Sequence, residues 1–369
     1  LFLHDCLYVS TIKNMINVME NEENKNIQIS DLGEFGLIDR LTKDIKLNHE
    51  STIKGIGDDA AVLDYNGNKT VVTSDLLLEG IHFDLMYSPL KHLGYKAVVV
   101  NISDVLAMNC IPSQIIVSIG FSGKFNIEYI DELYDGIKLA CDKYNIDFVG
   151  GDTTSSLTGL TISVTALGQG EDGNIVYRNG ANKNDIICVT GDLGAAYMGL
   201  QLLEREKEVF KSKPGSQPNL SGYDYILERQ LKPEARVDVV RFLQENNILP
   251  TSMMDISDGL ASELLHISHN SKLGCKIFQD KVPVDKNTAN MADELDMEPT
   301  QAALNGGDDY ELLFTISTDD YEKIKDEEKI NFVGHMTDEE DGCYMISTSE
   351  HPIKLQAQGW KGLEKGRRD

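Results

Sequence analysis

Two hydrophobic patterns alternate along the first half of the chain, one with the period of a strand and the other with the period of a helix. Short β-branched apolar runs predict strands. Apolar residues at helical spacing, such as Leu93, Ala97 and Val100, predict helices. The predicted elements are a helix after a cap at Asp31, strands at 61–63 and 69–78, a helix at 89–110, a strand at 113–121, a helix at 126–144, and strands at 147–151 and 160–167.

The second half mixes strands and helices without strict alternation. Strands are predicted at 186–190, 274–282, 311–316 and 331–334, and helices at 195–203, 235–247 and 259–269. Residues 212–222 are rich in Ser, Pro, Gly and Asn, which indicates a loop. We therefore predict an α+β protein with two α/β domains, at 31–170 and 171–369, after an N-terminal extension at 1–30.

Charge narrows the classes of partner. The chain has 60 acidic and 34 basic residues, a net charge of −26. Such a field repels nucleic acid and anionic membranes, so we expect neither as a partner, and a polyanionic substrate needs metal ions to be held. The six cysteines are scattered, which favours a reducing cytoplasm over a disulfide framework. The sequence also predicts neither a membrane span nor a signal peptide.

Four short stretches rich in Asp and Gly carry the candidate chemistry. Any one alone is most simply a turn. Carboxylates gathered in one place repel each other and need cations, and Mg²⁺ takes oxygen ligands that it shares with phosphates. Glycine lets the backbone approach a phosphate. The set therefore predicts a nucleotide site built from acids and metal; its members are 55–60, 150–154, 255–259 and 306–311, with Asp75 and Asp104 standing alone in apolar settings.

The common phosphate-binding signatures are missing. The sequence has no P-loop motif and no protein-kinase motif set. Gly55-x-Gly57-x-x-Ala60 superficially matches a dinucleotide fingerprint, but Asp58 and Asp59 would repel a pyrophosphate.

The ordered set of motifs resembles the thiamine-monophosphate kinase family, within the ATP-binding superfamily typified by aminoimidazole ribonucleotide synthetase. The resemblance covers about residues 31 to 362. Its motifs are Gly33-Glu34-Phe35, 55–60, Ser74-Asp75, Gly80-Ile81-His82-Phe83, Lys96-Ala97, Asn101-Ile102-Ser103-Asp104, 150–154, Arg178-Asn179-Gly180-Ala181, 255–260 and 307–312.

The resemblance implies direct in-line transfer of the ATP γ-phosphoryl group to thiamine monophosphate, assisted by several Mg²⁺ ions. It also implies a homodimer in which the N-terminal sheets of two subunits close a barrel across the interface. By matching position, the implied metal ligands are Asp59, Thr73, Ser74, Asp75, Asp104, Asp152, Asp255 and Asp258. The implied ATP contacts are Tyr134, Gly151, Asp152, Arg178 and Ser257, and the implied acceptor contacts are His82, Asp308 and Trp360.

One position departs from the family pattern, because Asp308 stands where glutamate is usual. The carboxylate is kept but is one methylene shorter. For Tyr134 alone, core packing is the simpler interpretation, and Trp360 is equally compatible with a C-terminal core anchor.

Two other classes of function stay open on the sequence. The nearest is a sister enzyme of the superfamily, such as aminoimidazole ribonucleotide synthetase, selenophosphate synthetase or the hydrogenase-maturation relative. Cys6 lacks the glycine-rich context expected of a selenophosphate synthetase, and the chain does not end in the cysteine of the hydrogenase-maturation relative. The second is a non-catalytic acidic Ca²⁺- or Mg²⁺-binding protein, which would have no need of Arg178 or His82, and no EF-hand loop is present.

Overall fold

The strands form two mixed sheets, and the first contains the N-terminal strands. The computed structural model describes residues 49–65 and 68–358, so the extension at 1–30, the helix predicted after Asp31, and Trp360 lie outside the described residues. The strand order is β1-β2-β3-β6-β4-β5, antiparallel except between β4 and β5. These strands are β1 (Thr52–Lys54), β2 (Ala61–Tyr65), β3 (Asn68–Leu78), β4 (Ile111–Phe121), β5 (Asp147–Ser155) and β6 (Thr161–Gly170).

Two long helices connect strands of this sheet: α1 (Leu90–Ala107) lies between β3 and β4, and α2 (Ile127–Tyr144) lies between β4 and β5. The Asn126 side chain caps α2 by accepting the Tyr129 N–H at 3.0 Å. α2 ends at Asn145, a residue type that tolerates the left-handed φ of 56° found there. α1 is buried along most of its length, because it packs on β3 and β6 of this sheet, on α2, and on residues Ser252–Ile256 of the second sheet.

The second sheet has the order β13-β12-β9-β11-β7-β10-β8 and is antiparallel except between β9 and β12. Its strands are β7 (Ile186–Thr190), β8 (Ser252–Ile256), β9 (Leu273–Phe278), β10 (Glu311–Ile316), β11 (Ile330–Asp338), β12 (Cys343–Ile346) and β13 (Pro352–Lys354). The accompanying helices are α3 (Ala195–Ser212), α4 (Asp224–Leu231), α5 (Val237–Glu245), α6 (Leu260–Ser271), α7 (Lys286–Glu294), α8 (Pro299–Asn305) and α9 (Thr318–Ile324).

The structure confirms the α+β class and most predicted elements, and it corrects several. β8 was missed because its sequence, SMMDI, lacks the β-branched residues that mark strands. α4, α7, α8 and α9 are too short for a clear helical period. The strand predicted at 274–282 ends at Phe278, where a 3₁₀ turn begins, and the helix predicted at 195–203 continues to Ser212.

The strands change from the first sheet to the second between Gly170 and Ile186. The domain boundaries at 31, 170 and 369 themselves stay a prediction. Across residues 49–65 and 68–358, none of the helices combines the length and apolarity that crossing a bilayer requires.

Candidate functional site

Three carboxylates from distant parts of the chain meet between the two sheets. Asp59 lies just before β2, Asp104 lies on α1, and Asp255 lies on β8. Each offers a ligand oxygen, and these oxygens all lie within 4.8 Å of one another. Asp59 and Asp255 are buried and Asp104 is half-buried. We refer to Asp59, Asp104 and Asp255 as the carboxylate cluster.

Hydroxyl groups orient two members of the cluster. Thr73 Oγ1 on β3 donates to Asp104 Oδ2 at 2.7 Å. Ser103 Oγ, which comes directly before Asp104 on α1, donates to Asp255 Oδ2 at 2.6 Å. A hydrogen bond donated to a carboxylate favours its charged form. These two bonds therefore keep the oxygens fixed and competent as ligands.

β3 presents its predicted ligands on two faces. The Asp75 N–H donates to the side-chain oxygen of Asn101 on α1 at 2.9 Å, so this part of β3 is fixed to the helix. Ser74 lies between Thr73 and Asp75, and side chains alternate along a strand. Its hydroxyl accordingly turns away from α1 and donates to the Val164 carbonyl at 3.1 Å. Thr73 therefore joins the cluster through its side chain, whereas Ser74 does not.

The carboxylates of the cluster repel one another, and a bound cation would offset this repulsion. Burial raises the pKa of Asp104 well above its ordinary value, and Asp255, Asp75 and Asp59 raise it further. Burial, followed by the Asp59 charge, raises the pKa of Asp255 to about 7, although the Ser103 hydrogen bond opposes the shift. Both shifts have the same cause, which is negative charge that is crowded and withdrawn from water.

Arg178 supplies a positive charge beside the carboxylate cluster. Its Nε and Nη2 donate to the two oxygens of Asp59 at 3.0 and 2.8 Å in a bidentate pair. Its backbone N–H donates to Asp58 Oδ1 at 3.2 Å. Burial disfavours the guanidinium charge, but Asp59 and Asp58 hold the pKa of Arg178 above its usual value. One arginine against several carboxylates leaves the site negative.

The donor set fits a hard divalent cation. The cluster and Thr73 offer only oxygen atoms, which Mg²⁺ prefers, and the carboxylates are near enough to share an ion. Removing two carboxylates from water without such a partner is unfavourable, as the raised pKa values of Asp104 and Asp255 show. The residues present therefore fit Mg²⁺.

The turn after β8 is shaped by a glutamate that sequence reasoning missed. Glu263, in the first turn of α6, accepts the N–H groups of Ser257 at 3.2 Å and Asp258 at 2.8 Å with one oxygen. Its side chain is buried, with 1% exposed. Gly259 follows with a φ of 114°, which other residues rarely adopt. The turn therefore presents Ser257 and Asp258 toward solvent beside Asp255.

Gly151 and Asp152 lie on the edge strand β5. Gly151 is required for packing, because a Cβ there would meet the Val117 carbonyl oxygen at 1.7 Å. Asp152 is exposed and pairs with Ser118 of β4. β6 and β4 separate β5 from β3, which is about 14 Å across three strand spacings. The first sheet therefore does not bring Asp152 into the carboxylate cluster.

Tyr134 on α2 borders an apolar pocket of about 420 Å³. Its ring lies 6.1 Å from the ring of Phe148 on β5, centroid to centroid. Thr153, two residues beyond Gly151, lines the same pocket. The remaining lining residues are Ile119, Phe121, Phe125, Asn126, Ile127 and Ile130.

Asp308 is held by three donors. Lys96 Nζ on α1 donates to its Oδ2 at 2.9 Å, as does the Gln230 amide at 3.3 Å, while the Tyr310 hydroxyl donates to Oδ1 at 2.8 Å. Burial would raise the pKa of Asp308, but the Lys96 charge and these hydrogen bonds hold it below its usual value. Asp308 is therefore an ionised carboxylate, with a left-handed φ of 63° that fixes its direction.

His82 lies in the exposed loop after β3. Its Nδ1 accepts the Leu78 N–H at 3.0 Å, which fixes the ring against the strand end. Since Nδ1 accepts a hydrogen bond, the proton of a neutral ring resides on Nε2. Trp360, predicted to lie near His82 and Asp308, falls outside the described residues.

Sequence reasoning named the acids of the site as ligands or contacts, but it quoted Lys96, Asn101 and Ser103 only as motif residues and gave them no role. Lys96, Asn101 and Ser103 all lie on α1, and each bonds a predicted site residue. The available signal was their polarity inside an otherwise apolar helix, because a buried polar group needs a partner. Glu263 had a comparable signal, since an acid in the first turn of a helix can accept free N–H groups.

Comparison with known proteins extends the similarity over almost the whole chain. The family "AIR synthase related protein, N-terminal domain" matches residues 57–169. The thiamine-monophosphate kinase of Aquifex aeolicus is 32% identical over 335 residues, covering 91% of this chain and 99% of the relative. That of Bacillus subtilis is 33% identical over 335 residues, covering 89% and 99%.

A solved structure agrees with the sequence relatives. The structure described as "AaThiL complexed with AMPPCP and TMP" is 31% identical, with a TM-score of 0.77, and covers 92% of this chain and 99% of that chain. The α+β fold is thus that of the superfamily typified by aminoimidazole ribonucleotide synthetase. With this identity across nearly the full length of each relative, the chain belongs to the thiamine-monophosphate kinase family.

Proposed function

We propose that the chain transfers the γ-phosphoryl group of ATP to thiamine monophosphate, giving thiamine diphosphate and ADP. The observation that carries the proposal is its identity to thiamine-monophosphate kinases over about nine tenths of the chain. The site's chemistry is consistent with it, because an oxygen-only carboxylate cluster lies beside a half-buried arginine.

Charge repulsion is the main obstacle to this reaction, since donor and acceptor are both polyanions. Bound Mg²⁺ supplies positive charge that offsets the repulsion and aligns the phosphates for in-line transfer. The carboxylate cluster and Thr73 hold one such ion. We assign further ions to ligand sets completed by Ser74, Asp75, Asp152 and Asp258.

The chain's own residues position the phosphates. The Ser257–Asp258 turn and Gly151 contact ATP, and Arg178 turns from Asp59 to a phosphate oxygen of ATP as a bidentate donor. The acceptor's phosphate oxygen is already a nucleophile, so no strong general base is required. Orientation therefore supplies most of the rate.

The adenine ring and the thiamine portion bind at different residues. The apolar pocket beside Tyr134 takes the adenine ring, supported by its aromatic lining residues Phe121, Phe125 and Tyr134 and by Thr153 of β5 in its wall. The ionised Asp308 attracts the cationic thiamine portion, with His82 and Trp360 completing the acceptor pocket.

We also propose a homodimer in which the first sheets of two subunits close one barrel. β5 is an edge strand whose residues are all exposed, including the apolar Phe148 and Val149, and natural proteins rarely leave such an edge open. Sedimentation at micromolar concentration tests this, and a monomer would overturn it. The expectation of a cytoplasmic location stays a prediction.

The decisive experiment follows both products. Purified protein with ATP and Mg²⁺ releases ADP only when thiamine monophosphate is added, and chromatography shows one thiamine diphosphate per ADP. Asp75→Asn and Asp104→Asn fold but lose nearly all turnover, because each removes charge facing the metal. Asp131→Asn, an exposed acid on α2, is the matched control and stays active.

Other outcomes decide between the alternatives. ADP release without thiamine diphosphate would identify a sister enzyme with another acceptor. Mg²⁺ binding with no ADP release under any acceptor would favour a non-catalytic metal-binding protein. Near-wild-type turnover of Asp104→Asn at saturating Mg²⁺ would overturn the metal assignment while leaving the activity in place.

A further inference from the structure

Two cysteines lie side by side in the second sheet, on the two strands that pair in parallel. Cys275 on β9 and Cys343 on β12 are register partners, and their side chains project to the same face of the sheet. Adjacent strands lie about 4.8 Å apart. That separation falls within the Cα range of about 4.4–6.8 Å that a disulfide requires. Both cysteines are free thiols.

The surroundings of the pair favour a thiolate at Cys343. The Cys275 thiol interacts with the Cys343 sulfur. The Ser268 hydroxyl on α6, which donates to the Leu273 carbonyl, lies 3.0 Å from the Cys343 sulfur. Lys354 on β13, which pairs with β12 beside Cys343, adds positive charge. The hydrogen bond with Cys275 outweighs burial and, with these groups, lowers the pKa of Cys343 to about 6.

The two thiols differ in access. Cys275 is 1% exposed, whereas Cys343 is half-buried. Thiolates, not thiols, attack disulfides, so Cys343 is the attacking group and Cys275 the resolving group. By contrast, burial raises the pKa of Cys141 to about 11 and that of Cys110 to about 12, which makes both unreactive.

We propose that Cys275 and Cys343 form a reactive thiol pair that exchanges with low-molecular-weight disulfides, such as oxidised glutathione, and closes into a disulfide between β9 and β12. Neither cysteine contacts the carboxylate cluster residues or Asp308 in any described hydrogen bond, so this site is separate from the proposed kinase chemistry.

The reaction balances without another reagent. The Cys343 thiolate attacks one sulfur of the small disulfide, forming a mixed disulfide and expelling a small thiolate, which takes up a proton. Cys275 then loses its proton to solvent and attacks Cys343 Sγ, expelling the second small thiol. Two protein thiols and one small disulfide thus give one protein disulfide and two small thiols.

The experiment uses the full-length, reduced protein exposed to oxidised glutathione and quenched in acid. Peptide mapping by mass spectrometry should show a Cys275–Cys343 cross-link in the wild type. Cys275→Ser should instead retain one glutathionyl group on Cys343, because the resolving thiol is gone. Cys343→Ser should carry neither modification, and Cys141→Ser, the matched control, should cross-link as the wild type does.

The alkylation rates of the wild-type protein provide a test that does not depend on whether any variant folds. Iodoacetamide at neutral pH should modify Cys343 at least about tenfold faster than Cys141, because thiolate fraction sets the rate. Equal rates, or glutathionylation of Cys343 in the wild type without the cross-link, would overturn the proposal. If Cys275→Ser loses its fold by circular dichroism, the wild-type mapping and rates decide alone.

Discussion

At the scale of single residues, the pairing of Arg178 with Asp59 joins a proposed ATP contact to a proposed metal ligand. The guanidinium binds both oxygens of Asp59, so Asp59 serves a cation fully only when Arg178 moves to another anion. A phosphate of ATP is such an anion. Under the proposed function, release of Asp59 to the metal therefore accompanies binding of Arg178 to ATP.

Arg178→Lys should raise the KM for ATP by about 10-fold or more, while the KM for thiamine monophosphate stays unchanged, because lysine keeps the charge but loses the fork. Steady-state kinetics with each substrate varied in turn measures this. Arg241→Lys, at an exposed position on α5, is the control. A change confined to the KM for thiamine monophosphate would show that Arg178 contacts the acceptor and not ATP.

Asp308 is the residue whose identity departs from the family pattern, and its carboxylate is already bound by Lys96, Gln230 and Tyr310. Asp308→Ala should raise the acceptor KM by about 10-fold or more without changing that of ATP, because a charged contact is lost. Asp308→Glu should be tolerated, since it restores the usual reach. Trp360→Ala should give the same acceptor-selective defect, and an unchanged acceptor KM in both alanine variants would place the thiamine pocket elsewhere.

The buried carboxyl group of Asp309 should make the stability of the folded protein depend on pH. Burial raises its pKa to about 7, against the opposing Arg229 charge and the Gly194 N–H. Unfolded, it titrates near its ordinary value of about 3.9. Between these values the folded state binds the proton more tightly, so stability falls as pH rises. As the pH rises from 5 to 8, the Tm of the wild type should therefore fall relative to the Tm of Asp309→Asn. Asp131→Asn, compared with the wild type, should show no such trend.

At the scale of elements, α1 and α2 cross at a point that only glycine allows. A Cβ at Gly136 would lie 1.9 Å from the Lys91 carbonyl oxygen, and one at Gly94 would lie 2.0 Å from that of Leu133. Backbone atoms cannot yield as a side chain does. The two helices are therefore as close as their backbones permit.

Gly136→Ala should lower the free energy of unfolding by about 1 to 3 kcal/mol or more, because overpacking displaces one helix. Urea denaturation measures the change. Gly123→Ala, where a Cβ would meet nothing within 4 Å, is the control and should change stability by at most about 0.5 kcal/mol. Equal stability of the two variants would contradict the close crossing.

The same helix shows what a sequence can and cannot predict. Its length and its buried Leu93 and Ala97 follow from helical spacing, and Asp104 stands out as a lone acid. That Ser103 would reach Asp255, which lies 152 positions away along the chain, depends on where β8 packs. Local patterns specify elements and candidate chemistry, whereas partners across the two sheets depend on tertiary packing, which leaves no local signal.

At the scale of the whole molecule, the described residues all belong to one compact unit, although their strands form two sheets. α1 joins them, because it contacts β3 and β6 of the first sheet and β8 of the second. It also bonds Asp75, Asp255 and Asp308 through its own side chains. The helix that organises the site is thus the helix on which both sheets depend.

This arrangement has a consequence for how the protein opens. A helix buried along nearly its whole length has little route to local fraying, so its amide hydrogens should exchange with solvent only when the whole unit unfolds. Hydrogen–deuterium exchange should give peptides of α1 and β8 the same opening free energy, well above that of α9, in which only Ile324 is buried. Faster exchange in α1 than in β8 would contradict this. If it holds, the enzyme cannot lose the arrangement of its carboxylate cluster by degrees, and any condition that loosens the cluster unfolds the whole unit with it.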